Sequence, residues 1–155
     1  MTDQKNNTSM IDTTSPDYAP TNMLDVLQHP GAQFVCSIPD DGSRENKIAI
    51  YNAMNGEDDK LNDMIGKPME IVNIMAYPVK MVDENTGEVV EAVRTVLVDV
   101  NGKRYAGVSQ GILNSIAKLY QVFGPAPWEP SIKMTVKQVK TRNGDNKVNT
   151  LELVD

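Results

Sequence analysis

Residues 109–125 read Ser-Gln-Gly-Ile-Leu-Asn-Ser-Ile-Ala-Lys-Leu-Tyr-Gln-Val-Phe-Gly-Pro, and they interrupt a chain that is otherwise strand-like. Apolar side chains recur here every three or four positions, which places them on one side of a helix. Ser109 can cap the first turn by accepting a backbone N–H, and Gly124 followed by Pro125 ends the last turn. The pattern predicts an α-helix over residues 110–123.

The segments before this helix have the alternating or continuously apolar pattern of strands. The predicted strands are residues 47–54, 69–82, 89–98 and 103–108. Asn101-Gly102 predicts a tight hairpin between the last two, and Pro78 indicates an edge or a bend in the second. Apolar residues occupy both faces of residues 69–82. Either both faces of this strand are covered, or a bulge near Asn73 shifts its register.

Two further strands follow the helix, at residues 132–139 and 148–154, and residues 141–147 connect them as a hairpin. A strand meander, one helix and a final hairpin form the element order of an OB barrel, whose sheet face and loops commonly bind oligonucleotides. The sequence therefore predicts a mainly β fold, a single OB-like barrel of five to six strands with its helix between the third and fourth barrel strands.

The 155 residues suit one core of ordinary size, and the composition divides the chain into three parts. Residues 1–22 are polar and carry too few apolar side chains to offset the entropy of ordering, so we expect a disordered arm. Residues 23–46 are expected to be partly ordered, with helical spacing over Met23–Leu27 and a short strand over Phe34–Ile38. Residues 47–155 are the predicted OB-like domain.

The net charge of -6 is unevenly distributed. Residues 1–46 contain seven acidic and two basic side chains, whereas residues 131–147 contain five basic side chains and one acidic. The basic segment could face phosphate, although surface lysines also keep sheets soluble. The overall acidity therefore does not exclude a nucleic-acid partner.

Several function classes find little support in the sequence. A cysteine hydrolase would need Cys36 to be activated by a base, and His29 is the single histidine. We find no glycine-rich phosphate loop, no Cys and His cluster for a metal, and no apolar run that would span a membrane. We expect a protein without enzymatic activity, cofactor or metal, located in the cytoplasm.

Coating a strand of any sequence requires cations along its phosphates and flat side chains on which bases stack. Tyr51 shares a predicted strand face with Lys47, and Tyr105 shares one with Lys103. Equally, each tyrosine could cap the barrel with its hydroxyl in water. The expected DNA-binding residues are Lys47, Tyr51, Tyr77, Arg94, Lys103, Tyr105, Lys133, Lys137, Arg142 and Lys147.

Three stretches, at 47–53, 101–109 and 132–153, carry a resemblance that extends over about residues 47–154. In their order and spacing the domain resembles the single-stranded DNA-binding proteins of small protein-primed Bacillus phages. The resemblance implies an OB fold, sequence-independent coating of single-stranded DNA in phage replication, contacts with phage replication proteins and a location in the host-cell cytoplasm. The acidic loop 57–59 and the long arm before Lys47 depart from the family's pattern.

An OB barrel can also serve as a protein-interaction module without direct DNA contact, since a fold does not dictate its ligand. The acidic arm fits that alternative. Salt separates the two, because phosphate binding weakens steeply with ionic strength through counterion release.

Overall fold

The computed structural model describes residues 35–141 and 147–155. This part of the chain forms seven strands, two α-helices and one 3₁₀ helix at Leu61–Met64. In chain order the elements are β1 (Val35–Cys36), α1 (Arg44–Asn55), β2 (Asp59–Lys60), β3 (Met69–Val82), β4 (Val89–Asp99), β5 (Arg104–Gly107), α2 (Gln110–Phe123), β6 (Ile132–Lys140) and β7 (Lys147–Leu153). The predicted disordered arm, the helical spacing at Met23–Leu27, and His29 lie outside the described residues.

One curled sheet has the strand order β2-β5-β4-β3-β6-β7, and β1 adds to β3. β3, β4 and β5 form an antiparallel meander. β6 then returns beside the start of β3, with Met69 opposite Met134, and β7 pairs with β6. The meander, the intervening helix and the returning hairpin make an OB-like barrel of five strands, β3 to β7. The predicted fold class is confirmed, including the helix between the third and fourth barrel strands.

Both alternatives for the apolar faces of β3 hold at once. The register shifts between Ile71 and Asn73, which is the predicted bulge. Beyond it, Ile74 and Ala76 face the barrel interior, while Met75, Tyr77 and Val79 belong to a second core cluster on the outside of the sheet. β3 is therefore apolar on both faces because both faces are covered.

The outer face is covered by α1, so the predicted strand at residues 47–54 is wrong. Ser43 caps this helix by accepting the N–H of Asn46 at 3.2 Å. Ile50, Ala53 and Met54 recur at helical spacing and pack on the outside of β3, β4 and β5. The apolar residues of 47–54 fit the period of a strand and that of a helix. The apolar outer face of the sheet favours the helix, because only a helix buries these three side chains together.

The connection between α1 and β3 also contains regular structure. It contains β2, which pairs in parallel with β5, and the 3₁₀ helix, which buries Leu61 and Met64 in the main core. The segment after α1 is thus fixed against the barrel rather than looping freely over it.

α2 extends over Gln110–Phe123, the span that the sequence predicts. Ser109 accepts the N–H of Ile112 at 3.4 Å, and Gly124 ends the helix at φ 83°, a backbone conformation that favours glycine. Gly111 lies so close to β7 that a Cβ there would come within 2.2 Å of the Asn149 carbonyl oxygen. α2 therefore packs directly against the β7 backbone at the open side of the barrel.

Pro78 lies within β3, opposite Val93 of β4. Ile74 directs its backbone groups away from β4, donating to Ser37 Oγ at 2.8 Å and accepting from the Ser37 N–H at 2.9 Å. Pro78, four positions further along, faces the same side. No described strand pairs there beyond Ala76, so the missing N–H removes no ladder hydrogen bond, and the predicted edge position is confirmed.

None of the helices in the described ranges is long and apolar enough to cross a bilayer.

Candidate nucleic-acid interface

The outward face of α1 combines cations with an exposed aromatic ring. Arg44, Lys47, Ile48 and Tyr51 line a shallow depression of about 540 Å³. Tyr51 is 64% exposed, and Lys47 lies one helical turn before it on the same side. Neither basic side chain forms an ion pair within the described residues. The predicted pairing of Lys47 with Tyr51 on one face is therefore retained, although a helix provides it.

Tyr77 fastens the end of α1 to the sheet. Its ring is buried, and its hydroxyl donates to the Met54 carbonyl at 2.9 Å. Arg94 donates to this hydroxyl and to the Ala53 carbonyl, each at 2.8 Å, with its guanidinium 5.7 Å from the ring centre. Tyr77 and Arg94, two of the expected DNA-binding residues, therefore pack between α1 and the sheet.

Tyr105 faces the barrel interior and is 4% exposed, so the prediction that its ring lies on an outward face is wrong. Its hydroxyl donates to Asp99 Oδ2 at 3.0 Å. Burial, followed by this hydrogen bond to a carboxylate, raises the pKa of Tyr105. Lys103 covers the ring, with its ammonium 5.5 Å from the ring centre. The alternating pattern misplaced Tyr105 because the small barrel needs a large side chain inside.

Three consecutive carboxylates after α1, residues 57–59, pair one to one with three cations of β4, β5 and their connection. We call residues 57–59 the acidic row. The pairs are Glu57 with Arg94 at 2.9 Å, Asp58 with Arg104 at 3.4 Å, and Asp59 with Lys103 at 2.8 Å. The hydrogen bond from the Arg104 backbone N–H, and then the Arg104 charge, lower the pKa of Asp58. The hydrogen bond to Asp59 raises the pKa of Lys103. All three cations are thus neutralised in the free protein.

A groove of about 500 Å³ runs beside the acidic row. Met81 and Arg94 of the β3–β4 hairpin border one side, and Asn149 of β7 borders the other. Glu57 and Lys60 also line it. In OB folds the second and third barrel strands and the loops flanking them commonly contact oligonucleotides, and this groove occupies that position.

The β6–β7 hairpin presents the predicted basic surface. Lys133 and Lys137 alternate with buried residues, as predicted, but Lys137 pairs with Glu152 at 3.3 Å and Lys133 donates to the Asp155 carbonyl at 3.0 Å. Near the tip, Lys140 lies directly opposite Lys147, and neither has an acidic partner among the described residues. Like charges in this position repel each other, so an anion between them would be stabilising. Arg142 lies outside the described residues.

A family model described as Phage Single-stranded DNA-binding protein matches residues 31–154. The chain belongs to this family. A single-stranded DNA-binding protein of Bacillus phage GA-1 is 29% identical over 107 residues, which cover 65% of this chain and 62% of the relative. The chain therefore spans less than two thirds of that relative's length. No solved structure matches significantly.

Family membership confirms the resemblance that the sequence carries. Three basic residues near these surfaces are not among the DNA-binding residues expected from the sequence. Arg44 joins Lys47 through the turn of α1, Lys140 joins Lys147 through strand pairing, and Arg104 joins the acidic row. The high density of basic residues along residues 133–147 was a usable signal for Lys140. The other two depend on contacts that residue spacing along the chain does not reveal.

Proposed function

We propose that this protein binds and coats single-stranded DNA, without preference for base sequence and without catalysing a reaction, during phage DNA replication. The observation that carries the proposal is the outward face of α1 in a member of this family. Tyr51 offers an exposed ring on which any base can stack. Beside it, Lys47 and Arg44 form no ion pair within the described residues and offer their cations to the phosphates.

The tip of the β6–β7 hairpin supports a second phosphate contact. Lys140 and Lys147 face each other across the two strands without an acidic partner in the described chain, an arrangement that a bound phosphate would relieve. Lys133 and Lys137 alternate with Lys140 along β6 and therefore lie on the other face of the hairpin, where phosphates would compete with Glu152 and the Asp155 carbonyl. Arg142, which follows Lys140 by two positions in the sequence, stays an expected DNA-binding residue.

The surroundings of Cys36 argue against a cysteine-based enzyme. Burial raises the pKa of the Cys36 thiol to about 11, so the thiol stays protonated near neutral pH. The thiol donates to the Ile38 carbonyl at 3.9 Å, and the charge of Asp40 raises its pKa further. Coating of a DNA strand requires no reactive thiol. We further propose that the protein contacts other replication proteins in the host cytoplasm.

The test is a fluorescence anisotropy titration of labelled oligothymidine at several salt concentrations, with oligodeoxyadenosine and a mixed sequence as comparisons. We expect log affinity to fall linearly with log salt, by about 0.7 for each phosphate contact on a single strand. Affinities for the three sequences should agree within a few fold, because stacking tolerates every base. Absence of binding, or binding that salt does not weaken, would overturn the proposal.

A further inference from the structure

We propose that the acidic row makes binding selective for DNA strands that present unstacked bases, because its ion pairs with Arg94, Lys103 and Arg104 oppose ligands that offer charge alone. The inference rests on the proposed function and adds a determinant of specificity to it. The described acidic residues include no other such run with one-to-one cation partners.

The acidic row occupies its cations as a phosphate backbone would. A carboxylate and a phosphate oxygen accept the same charge-assisted hydrogen bonds from arginine and lysine. Any polyanion that approaches Arg94, Lys103 or Arg104 must therefore exchange an existing ion pair for a new one, and it meets three negative charges as it does so. The exchange yields little net gain in attraction.

The backbone around the acidic row is fixed, so the carboxylates stay near the cations even when an ion pair opens. Asp58 donates its N–H to the Arg104 carbonyl at 2.9 Å, and the Arg104 N–H donates to Asp58 Oδ2 at 2.9 Å. Asp59 continues this contact as part of β2, opposite Tyr105. A tethered competitor of this kind acts at a constant and high effective concentration.

The acidic row lies between the α1 depression, which is proposed to bind DNA, and the groove beside β4 and β5. On one side, Arg104 donates to the carbonyl of Asn52, a residue of the α1 depression. On the other side, Glu57 and Arg94 line the groove beside β4 and β5. A strand that follows α1 toward the groove passes the three carboxylates.

Selectivity follows from what each ligand offers besides charge. A DNA duplex or heparin brings phosphate or sulfate groups but no accessible base face, so repulsion from the acidic row opposes most of its attraction. A single strand also stacks a base on Tyr51, an interaction that the acidic row does not oppose. The acidic row therefore lowers the affinity for a DNA duplex or heparin more than it lowers the affinity for a single strand.

The experiment compares the triple variant E57Q/D58N/D59N with a control, E84Q/E88Q/E91Q. Both change the net charge by the same amount, and the control residues are exposed positions on the β3–β4 hairpin and its turn. The amides keep acceptor oxygens for the existing hydrogen bonds. Affinities for oligothymidine, for a DNA duplex of equal length and for heparin are measured over a salt series, together with the thermal midpoint of each variant.

We expect the acidic-row variant to bind duplex and heparin about tenfold more tightly and oligothymidine less than about threefold more tightly, with a duplex salt slope steeper by about 2 to 3. The control should change all three affinities by one small common factor. An unchanged ratio of duplex to oligothymidine affinity, or an equal change of that ratio in the control, would refute the inference.

The single variant D59N and the binding of the parent protein distinguish failure of this inference from failure of the proposed function. If the triple variant melts early, the single variant D59N, which frees Lys103 alone, must still raise duplex affinity over oligothymidine affinity, or the inference fails. If the parent protein does not bind oligothymidine at all, the proposed function fails first. Parent binding with an unchanged variant ratio contradicts only the selectivity role.

Discussion

Replacing Tyr51 with alanine separates DNA binding from folding more cleanly than any other change. The side chain is 64% exposed, so only about a third of it is buried in the free protein. Full burial of a large apolar side chain contributes about 1.5–3 kcal/mol, and a third of that is about 0.5–1 kcal/mol. In a chain of this length we expect the thermal midpoint to fall by about 1–4 °C.

The expected loss of DNA affinity is larger than the loss of stability. A base stacked on an aromatic ring contributes about 1–3 kcal/mol, which corresponds to a loss of about 5- to 150-fold in affinity for oligothymidine. Tyr51→Phe should bind nearly as the parent does, because it keeps the ring. Anisotropy titrations at one salt concentration, below the melting transition, measure the loss directly.

Phe123→Ala provides a matched control. Phe123 is 49% exposed, but it lines a different depression, with Trp128 and Leu153. This variant should lose some stability and keep its affinity for DNA. The reasoning is refuted if Tyr51→Ala binds oligothymidine as tightly as the parent, or if Phe123→Ala loses as much affinity as Tyr51→Ala does.

Three further changes test other parts of the structure. Combined replacement of Lys133 and Lys137 by alanine should flatten the salt dependence by about 1 to 1.5 in log–log slope, equally for all base sequences, and an unchanged slope would move the phosphate contact elsewhere. Deletion of residues 1–22 should leave affinity undiminished, because this segment adds acidic charge and little apolar surface, and a tenfold loss would show that it contributes to binding. Gly111→Ala should lower the thermal midpoint by about 2–10 °C, since the new methyl group would meet the Asn149 carbonyl oxygen at 2.2 Å, and an unaltered midpoint would contradict this contact.

Most barrel elements were predictable because their signals are local. β3 and α2 begin and end where the alternation, the helical spacing and the caps place them. Ser109 and Gly124 act on backbone groups within a few residues of themselves, so no distant contact is needed to specify them. The basic β6–β7 hairpin was accessible for the same reason, since alternation alone sets the faces of Lys133 and Lys137.

The candidate site was less predictable because it depends on contacts between distant segments. Residues 48–54 satisfy the strand and the helix periods equally, and the strand prediction failed where the outer sheet face required a helical cover. The burial of Tyr105 likewise depends on the closed barrel. The acidic row pairs with cations that lie 37 to 46 positions away along the chain.

The sequence by itself therefore determined the barrel's element order, its central helix and its basic hairpin, because hydrogen-bond caps and side-chain alternation act over a few residues. Only the tertiary structure decided that α1 is a helix, that Tyr51 is exposed while Tyr105 is buried, and that Arg94, Lys103 and Arg104 each pair with a carboxylate of the acidic row. These features depend on which side chains contact each other in the folded sheet. The pattern of neighbouring residues along the chain does not specify those contacts.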